Sequence, residues 1–187
     1  MNSSPSCEAT YETLRTPNRK TFGHRVVAIA RRLGRPFMPW QQHWALVAGE
    51  LISDEETGLW VPAYPEVFAT VMRQNGKTLW LLATELDRAL LWEPYDGKPQ
   101  AIAYTGQTGA DARKKFRKEH VPLLRSSPLW GTIDRVRYMA DDTGFDFRNG
   151  ATLTLWSNSE EAGHGSTVDL VVMDEIWADV DDRREQA

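Results

Sequence analysis

The chain of 187 residues has a single cysteine, no strong excess of charge and no long apolar run. Cys7 has no second cysteine to pair with, which excludes an intrachain disulfide and a cysteine-rich metal site. The formal net charge of −4 gives no overall basic surface for nucleic acid. No stretch reaches the roughly 20 apolar residues of a membrane-spanning helix, and the start lacks the layout of a secretory signal. We therefore expect a soluble protein of a reducing cytoplasm, with no membrane partner.

The residues that are present are typical of a globular protein. Apolar residues make up 41% of the chain and charged residues 26%, and the length suits one domain with a buried core. Residues 1–20 are rich in Ser, Thr, Asn and Pro without apolar periodicity. This composition predicts a flexible N-terminal leader, followed by one domain over residues 21–187. The eight tryptophans are scattered, and most are expected in the core rather than stacked on bases.

Helical and strand-type patterns alternate along the rest of the chain. Apolar spacing predicts helices over residues 22–33, 40–52, 78–92 and 110–124, and residues 53–58 read as a turn. Period-two alternation or short apolar runs predict strands over residues 66–71, 100–104, 135–139, 144–150, 151–156 and 168–175. This alternation favours an α/β fold with a mainly parallel sheet flanked by helices, in which residues 135–156 form an antiparallel or edge addition.

A Gly-Lys-Thr tripeptide lies between the predicted strand 66–71 and the predicted helix 78–92. Backbone N–H groups and a helix N-terminus at such a place point toward a potential anion, as in phosphate-binding loops. Lys77 would reach the β- and γ-phosphates, and Thr78 would place its hydroxyl on a magnesium ion. The pattern departs from G-x-x-x-x-G-K-[ST] at its first position, where Val71 stands instead of glycine. A plain helix start is the alternative interpretation.

Two adjacent carboxylates, Asp174 and Glu175, follow the most apolar predicted strand. Because the carboxyl ends of parallel strands line the ligand crevice of an α/β sheet, Asp174 and the loop at Lys77 would face the same site. Asp174 would hold magnesium, and Glu175 would polarise the attacking water as general base. The alternative is a pair of acidic residues that stabilises the N-terminus of the following helix.

Taken together, these residues resemble the ATPase part of the large terminase subunit of tailed bacteriophages. Residues 73–78, Arg-Gln-Asn-Gly-Lys-Thr, are similar to that family's deviant Walker A motif, which carries an arginine and often lacks the first glycine. The resemblance implies a catalytic role for Arg73 beside Glu175. It also implies ATP-binding roles for Arg73, Gln74, Asn75, Gly76, Lys77 and Thr78.

Four further short matches occur in the family's order. Pro39-Trp40-Gln41 resembles the adenine-recognition element, which implies that Gln41 reads the base edge and that Trp40 packs nearby. A helix opened by proline is the alternative for this tripeptide. The other matches are residues 103–107 (Ala-Tyr-Thr-Gly-Gln), 147–150 (Phe-Arg-Asn-Gly) and 162–165 (Ala-Gly-His-Gly), so that the resemblance spans about residues 35–178.

The resemblance implies an ASCE-type P-loop NTPase that binds ATP and Mg²⁺ and hydrolyses ATP to drive double-stranded DNA into a capsid. In the complete motor it implies a ring-forming homo-oligomer, a portal protein and a small terminase subunit, in the cytoplasm of a host that carries the phage or prophage. The chain ends 12 residues after Glu175. We therefore expect an incomplete ATPase domain without the coupling strand or the nuclease domain, and no nuclease activity.

Two other functions stay open. One is a truncated remnant that binds a nucleotide without motor activity, and the other is a different P-loop DNA translocase, although helicase-type motifs are not seen. The scattered histidines show no metal-ligand spacing, so no metal other than magnesium is expected, and His164 is expected in a glycine-flanked loop. A basic cluster within residues 113–118 is expected to be a solvated helix face balanced by nearby acidic residues, with DNA phosphate contact as the alternative.

Overall fold

The computed structural model describes residues 12–71, 75–92, 97–156 and 167–174. The chain divides into two compact units, unit 1 (Met1–Thr84) and unit 2 (Glu85–Ala187), and the division falls inside a single helix. In the described part of the chain, no helix combines the length and the apolar character needed to cross a membrane.

Unit 1 is built from two short helices, a hairpin and the beginning of a third helix. Its elements are α1 (Gly23–Arg32), α2 (Pro39–Ala48), β1 (Leu51–Ser53), β2 (Trp60–Pro62) and the first residues of α3 (Lys77–Leu91). The helix predicted over residues 22–33 is confirmed as α1, and its buried face follows the helical spacing of the apolar residues. A Cβ on Gly23 would lie 2.1 Å from the carbonyl oxygen of Ala45, so only glycine allows α1 to come this close to α2.

Two expectations for unit 1 are wrong. Residues 66–71 do not form a strand, and Phe68 is 79% exposed; a strand needs a partner to satisfy its backbone, and no described residue pairs with this segment. The helix predicted to run to residue 52 ends at Ala48, with Gly49 as its C-cap. Leu51 instead begins β1, which pairs antiparallel with β2 across the predicted turn and forms a hairpin that the pattern did not reveal.

Glu50 ties residues of the predicted N-terminal leader to unit 1. Its carboxylate is fully buried and accepts hydrogen bonds from Arg15 Nη1 at 2.6 Å, from Arg19 Nη1 at 3.0 Å and from the Thr16 backbone N–H at 2.8 Å. Tyr64 donates a further hydrogen bond at 3.2 Å. Burial alone would raise the pKa of Glu50, but the hydrogen bonds from Thr16, Arg15 and Arg19 outweigh it and lower this pKa to about 2.

Glu50→Gln is expected to destabilise the chain near neutral pH and to weaken its sensitivity to acid. A carboxylate with a lowered folded-state pKa stabilises the protein above its unfolded value of about 4.5, and this contribution is lost as the pH falls toward 2. We expect a loss on the order of 2 kcal/mol at pH 7. Urea denaturation between pH 7 and pH 3 would measure it. Glu56→Gln, a change at an exposed residue of the β1–β2 turn, is the control. If both variants have the same free energy of unfolding between pH 7 and pH 3, the stabilising role of the Glu50 carboxylate is contradicted.

Unit 2 contains a five-stranded sheet with the spatial order β4-β5-β6-β3-β7. Its strands are β3 (Ala101–Thr105), β4 (Ile133–Met139), β5 (Asp142–Phe147), β6 (Thr152–Trp156) and β7 (Leu170–Met173). The five strands predicted after residue 100 are therefore present, each shifted by at most a few residues. The α/β class is confirmed.

The sheet is mixed, and the antiparallel addition expected within residues 135–156 is present in the pairing of β4, β5 and β6. β3 pairs parallel with β6 and β7, whereas β5 pairs antiparallel with β4 and β6. The reason is local: β4, β5 and β6 are joined by short turns, and a short connection can join only antiparallel neighbours. The dipeptide Asn149-Gly150 is a hairpin-turn signal in the sequence, and Gly150 has the left-handed φ of +87° that favours glycine there.

One continuous helical segment follows β3 and covers the sheet. It consists of α4 (Gly109–Lys115), a π-helical turn (Phe116–His120) and α5 (Val121–Arg125), with a 3₁₀ turn (Pro128–Thr132) after it. The helix predicted over residues 110–124 is confirmed, and Thr108 caps it by accepting from the Asp111 N–H. The π turn buries Phe116, whose ring lies 4.6 Å from that of Phe145 on β5.

The C-terminal half of α3 is fastened to the sheet by polar contacts. Arg88 donates to the Gln100 side chain at 2.8 Å and to the Asp169 carbonyl oxygen at 3.0 Å, directly before β3 and β7. Asn149, in the predicted Phe-Arg-Asn-Gly motif, donates to the carbonyl oxygen of Ala89 at 2.8 Å. These contacts orient the face of α3 that carries Glu85.

Candidate functional site

The predicted phosphate-binding loop ends at the N-terminus of α3. Gly76 has a left-handed φ of +79°, and Lys77 and Thr78 are the first two residues of the helix. Asn75, Gly76, Lys77 and Thr78 are all half-buried. The loop therefore presents a lysine and a hydroxyl beside the N–H groups of a first helical turn, which is an arrangement that binds anions.

Gln41 contacts this loop directly. Its side chain is 2% exposed, and its Nε2 donates to the Gly76 carbonyl oxygen at 2.9 Å. Its Oε1 accepts from the backbone N–H of Met38 at 2.8 Å, which caps the N-terminus of α2. The structure thus brings together two motifs, Pro39-Trp40-Gln41 and Gly76-Lys77-Thr78, that lie 35 residues apart in the sequence.

The space at Gly76 is filled by the same glutamine. A Cβ at this position would lie 2.8 Å from Gln41 Nε2. Together with the left-handed backbone, this contact explains why glycine stands before Lys77. The Gly76 carbonyl oxygen also accepts from the Trp80 backbone N–H at 3.3 Å, one turn into the helix.

Tryptophans connect α2 with the start of α3. The ring of Trp40 lies edge-on to that of Trp44 at 5.0 Å, and Trp44 lies 5.6 Å from Trp80. Trp80 is buried, whereas Trp40 is half-buried. Trp40 therefore packs against Trp44, and these three tryptophans connect α2 with the start of α3.

Some predicted residues lie outside the described part of the chain. These are Arg73, Gln74, Glu175 and the Ala-Gly-His-Gly motif at residues 162–165.

In unit 2, Asp174 directly follows β7. Its backbone N–H donates to the Thr105 carbonyl oxygen at 2.9 Å and so continues the parallel pairing of β7 with β3. Its side chain is fully buried, and its Oδ2 accepts from Lys115 Nζ at 2.6 Å and from the Tyr104 hydroxyl at 3.1 Å. The predicted carboxylate is therefore at the carboxyl end of a parallel strand, in a buried ion pair.

Two further ionisable side chains are fully buried near this ion pair. Burial raises the pKa of Glu85 to about 8, and the negative charge of Asp174 adds to the rise. Burial lowers the pKa of His120 to about 4 against the opposing effect of Asp174. Among the described residues neither side chain has a hydrogen-bond partner, and the His120 ring packs edge-on to Tyr104 at 5.2 Å.

Tyr104 keeps its proton and serves as a donor. Burial is the largest cause that raises the pKa of its hydroxyl, followed by the charges of Asp174 and Glu85. We refer to Glu85, Tyr104, Lys115, His120 and Asp174 as the buried polar cluster. At neutral pH it holds one ion pair, Lys115 with Asp174, and three neutral ionisable groups, Glu85, Tyr104 and His120.

Sequence reasoning missed most of this cluster, although helical spacing contains a signal. Glu85 lies three residues after buried Leu82 and four before buried Ala89, and a carboxylate on such an apolar stripe is unusual. Lys115 lies three residues after Ala112 and directly before Phe116, both fully buried.

The basic residues of α4 do not form one solvated face. Lys114 and Lys118 are exposed as expected, but Lys115 turns inward to Asp174. Arg117 donates to the Tyr138 carbonyl oxygen at 2.8 Å, and Arg113 to that of Ala140 at 3.4 Å. The expectation of a fully solvated face is therefore wrong for Lys115, because the helix needs that side chain to balance a buried carboxylate.

Thr78 and Asp174 each carry an oxygen of the type that magnesium binds. Mg²⁺ takes oxygen ligands and in P-loop proteins uses a hydroxyl, one carboxylate, phosphate oxygens and water. Thr78 in unit 1 carries such a hydroxyl, and Asp174 in unit 2 carries such a carboxylate. Within the described ranges no group of three or more His, Cys, Asp and Glu side chains is placed to hold a metal ion. One oxygen of Asp174 is bound to Lys115.

Comparison of the chain with known protein families, with curated protein sequences and with solved structures found no match in any of the three. The function must therefore be argued from the residues and contacts described above.

Proposed function

We propose that this chain is the ATP-binding and ATP-hydrolysing part of a phage DNA-packaging motor of the large terminase type. The observation that carries the proposal is the contact between Gln41 and Gly76, because it joins an adenine-recognition-like tripeptide to a Gly-Lys-Thr loop at a helix N-terminus. A chance Gly-Lys-Thr tripeptide gives no reason for such a second motif to contact it. An ASCE-type P-loop fold that includes the mixed sheet of unit 2 belongs to the same proposal.

In this proposal each residue has a defined task. Backbone N–H groups of the first turn of α3 and the Lys77 ammonium bind the β- and γ-phosphates. Thr78 and Asp174 hold Mg²⁺, which supplies positive charge against the phosphate oxygens. Glu175 orients the attacking water and accepts its proton, and Arg73 stabilises charge that develops on the transferred phosphoryl group.

The partners of the proposal are those of a packaging motor. They comprise double-stranded DNA, a portal protein, a small terminase subunit and further copies of the chain in a ring. The acidic net charge of −4 means that DNA contact would come from a local patch.

Lys77→Ala is expected to abolish nucleotide binding. The substitution removes the one charge at the start of α3 that reaches the phosphates, whereas a half-buried lysine of the first turn contributes little to the core. Titration of a fluorescent ATP analogue with magnesium into the wild-type chain and into the variant would measure this, with a weakening of at least a hundredfold expected.

Lys118→Ala is the matched control, because it removes the same charge from an exposed site of unit 2. Its affinity for the analogue should equal that of the wild-type chain. Binding by Lys77→Ala within tenfold of the wild-type affinity, or no binding by the folded wild-type chain, would contradict the proposal.

A second candidate is nucleotide binding without turnover. The observation that favours it is the ion pair of Lys115 with Asp174, since it engages the carboxylate that would hold magnesium. Phosphate release from ATP separates the two candidates. If nucleotide binding depends on Lys77 but phosphate release is no faster than that of Lys77→Ala, nucleotide binding without turnover is favoured. If the wild-type chain releases phosphate faster than Lys77→Ala, the ATP-hydrolysing function is favoured.

A further inference from the structure

We infer that Gln41 is a positioning residue of the phosphate-binding loop and not the reader of the adenine base. The inference rests on the proposed function, because it concerns how the same site binds its nucleotide. It assigns to Gln41 a contribution that depends on the phosphates and is independent of the base.

The amide group of Gln41 already makes hydrogen bonds within the protein. A side-chain amide that reads adenine edge-on must accept from the amino group with its oxygen and donate to a ring nitrogen with its NH₂ group. In this chain the Oε1 atom accepts from the Met38 N–H at 2.8 Å, and Nε2 donates to the Gly76 carbonyl oxygen at 2.9 Å. Each end of the amide therefore already has a protein partner, and the second lone pair of Oε1 and the second hydrogen of Nε2 belong to a residue that is only 2% exposed.

Burial makes this arrangement hard to exchange for a base contact. Gln41 is 2% exposed, so rotation of its amide toward a ligand would leave the Met38 N–H and the Gly76 carbonyl oxygen without these bonds. Buried polar groups that lose a partner are strongly unfavourable. The close approach of Nε2 to Gly76 also leaves no free volume between the two residues.

The contact acts on the residue that sets the loop conformation. Gly76 has the left-handed backbone directly before Lys77, and its carbonyl oxygen also receives the first helical bond from Trp80. A glutamine that fixes this carbonyl group fixes the direction of the following N–H groups, which bind the phosphates in the proposed function. Its removal should weaken every ligand that carries the triphosphate.

The test compares three ligands in the presence of magnesium: ATP, GTP and inorganic triphosphate, which has no base. In Gln41→Glu one carboxylate oxygen can still accept from Met38, but no N–H is left for Gly76. We expect the affinity for all three ligands to fall by the same factor, about tenfold, while the ratio of the ATP and triphosphate affinities stays as in the wild-type chain.

Gln42→Glu is the matched control on the same helix. Gln42 donates to the Phe37 carbonyl oxygen at 2.9 Å, away from the loop, so this variant loses a comparable bond. It should bind all three ligands like the wild-type chain. Thermal unfolding of both variants identifies any general loss of structure.

A loss for ATP without a loss for triphosphate would mean that Gln41 reads the base and would overturn the inference. Unchanged affinities for all three ligands would overturn it as well. If Gln41→Glu does not fold, the side-chain ¹⁵N amide signal of Gln41 in the wild-type chain gives the answer: it should respond equally to triphosphate and to ATP, and a response to ATP alone would overturn the inference. If the folded wild-type chain binds none of the three ligands, both the proposed function and this inference are contradicted. This result is obtained from the wild-type chain alone, before any variant is compared.

Discussion

Lys115→Met is expected to lower the free energy of unfolding by about 3 kcal/mol, the largest loss among the variants considered for this chain. Methionine keeps most of the volume of the lysine stem but leaves Asp174 without the ammonium that lies 2.6 Å from its Oδ2. The side chain of Asp174 is fully buried, so water cannot replace the lost charge. The Lys115 side chain is 23% exposed, which places the expected loss at the lower end of the range for a broken buried ion pair.

Urea denaturation at pH 7 would measure this loss, with Lys114→Met as the control. Lys114 is the exposed neighbour on the same helix, and its replacement should change stability by less than about 0.5 kcal/mol. Adding Asp174→Asn to Lys115→Met should recover much of the loss, because the double variant has no uncompensated buried charge. A Lys115→Met variant as stable as Lys114→Met would show that the ion pair contributes nothing to the fold.

Glu85→Gln is expected to stabilise the chain above pH 6 by an amount that grows with pH. The folded-state pKa of Glu85 is raised to about 8, so its contribution to stability is complete below the unfolded value of 4.5 and is lost as the pH rises toward 8. Each pH unit in this window changes the free energy of unfolding by at most about 1.4 kcal/mol. Glutamine has a similar shape and no proton to lose, so the variant avoids this loss.

The difference between Glu85→Gln and the wild-type chain should reach roughly 4 kcal/mol at pH 8 and fall to less than about 1 kcal/mol near pH 5. Urea denaturation at half-unit steps from pH 5 to pH 8 would follow it. Glu119→Gln, a change at an exposed residue of the π turn, should show no such dependence. A constant difference across this range would contradict a raised pKa at Glu85.

Helices were easier to predict than the sheet because helical periodicity is local. The helices over α1, α3 and α4 to α5 were predicted within a few residues, since glycine, proline and cap residues mark their ends. The alternation in residues 66–71 is equally local, yet these residues form no strand. A strand depends on a partner that may lie anywhere in the chain, and alternation alone does not provide one.

The residues of the candidate site also differ in how far they could be predicted from the sequence. Gly76, Lys77 and Thr78 were recognisable because their spacing and the following helix are contained in a few consecutive residues. The contact of Gln41 with Gly76 spans 35 residues, and hydrogen bonding, not residue type, decides whether that glutamine faces a ligand or its own loop. The proposed role in positioning therefore follows from the tertiary structure.

The amino-acid sequence by itself determined the α/β class, the helices, the turn at Gly150 and the carboxylate at the end of β7. Only the tertiary structure decided that the spatial strand order is β4-β5-β6-β3-β7, that Glu85 and His120 are buried, and that Lys115 is the partner of Asp174. Lys115 and Asp174 lie 59 residues apart, and they meet only because β7 pairs with β3 while α4 packs beside β3 and β6. Charge balance in a buried cluster is a property of that packing, since burial shifts the protonation of each group and no local pattern encodes it.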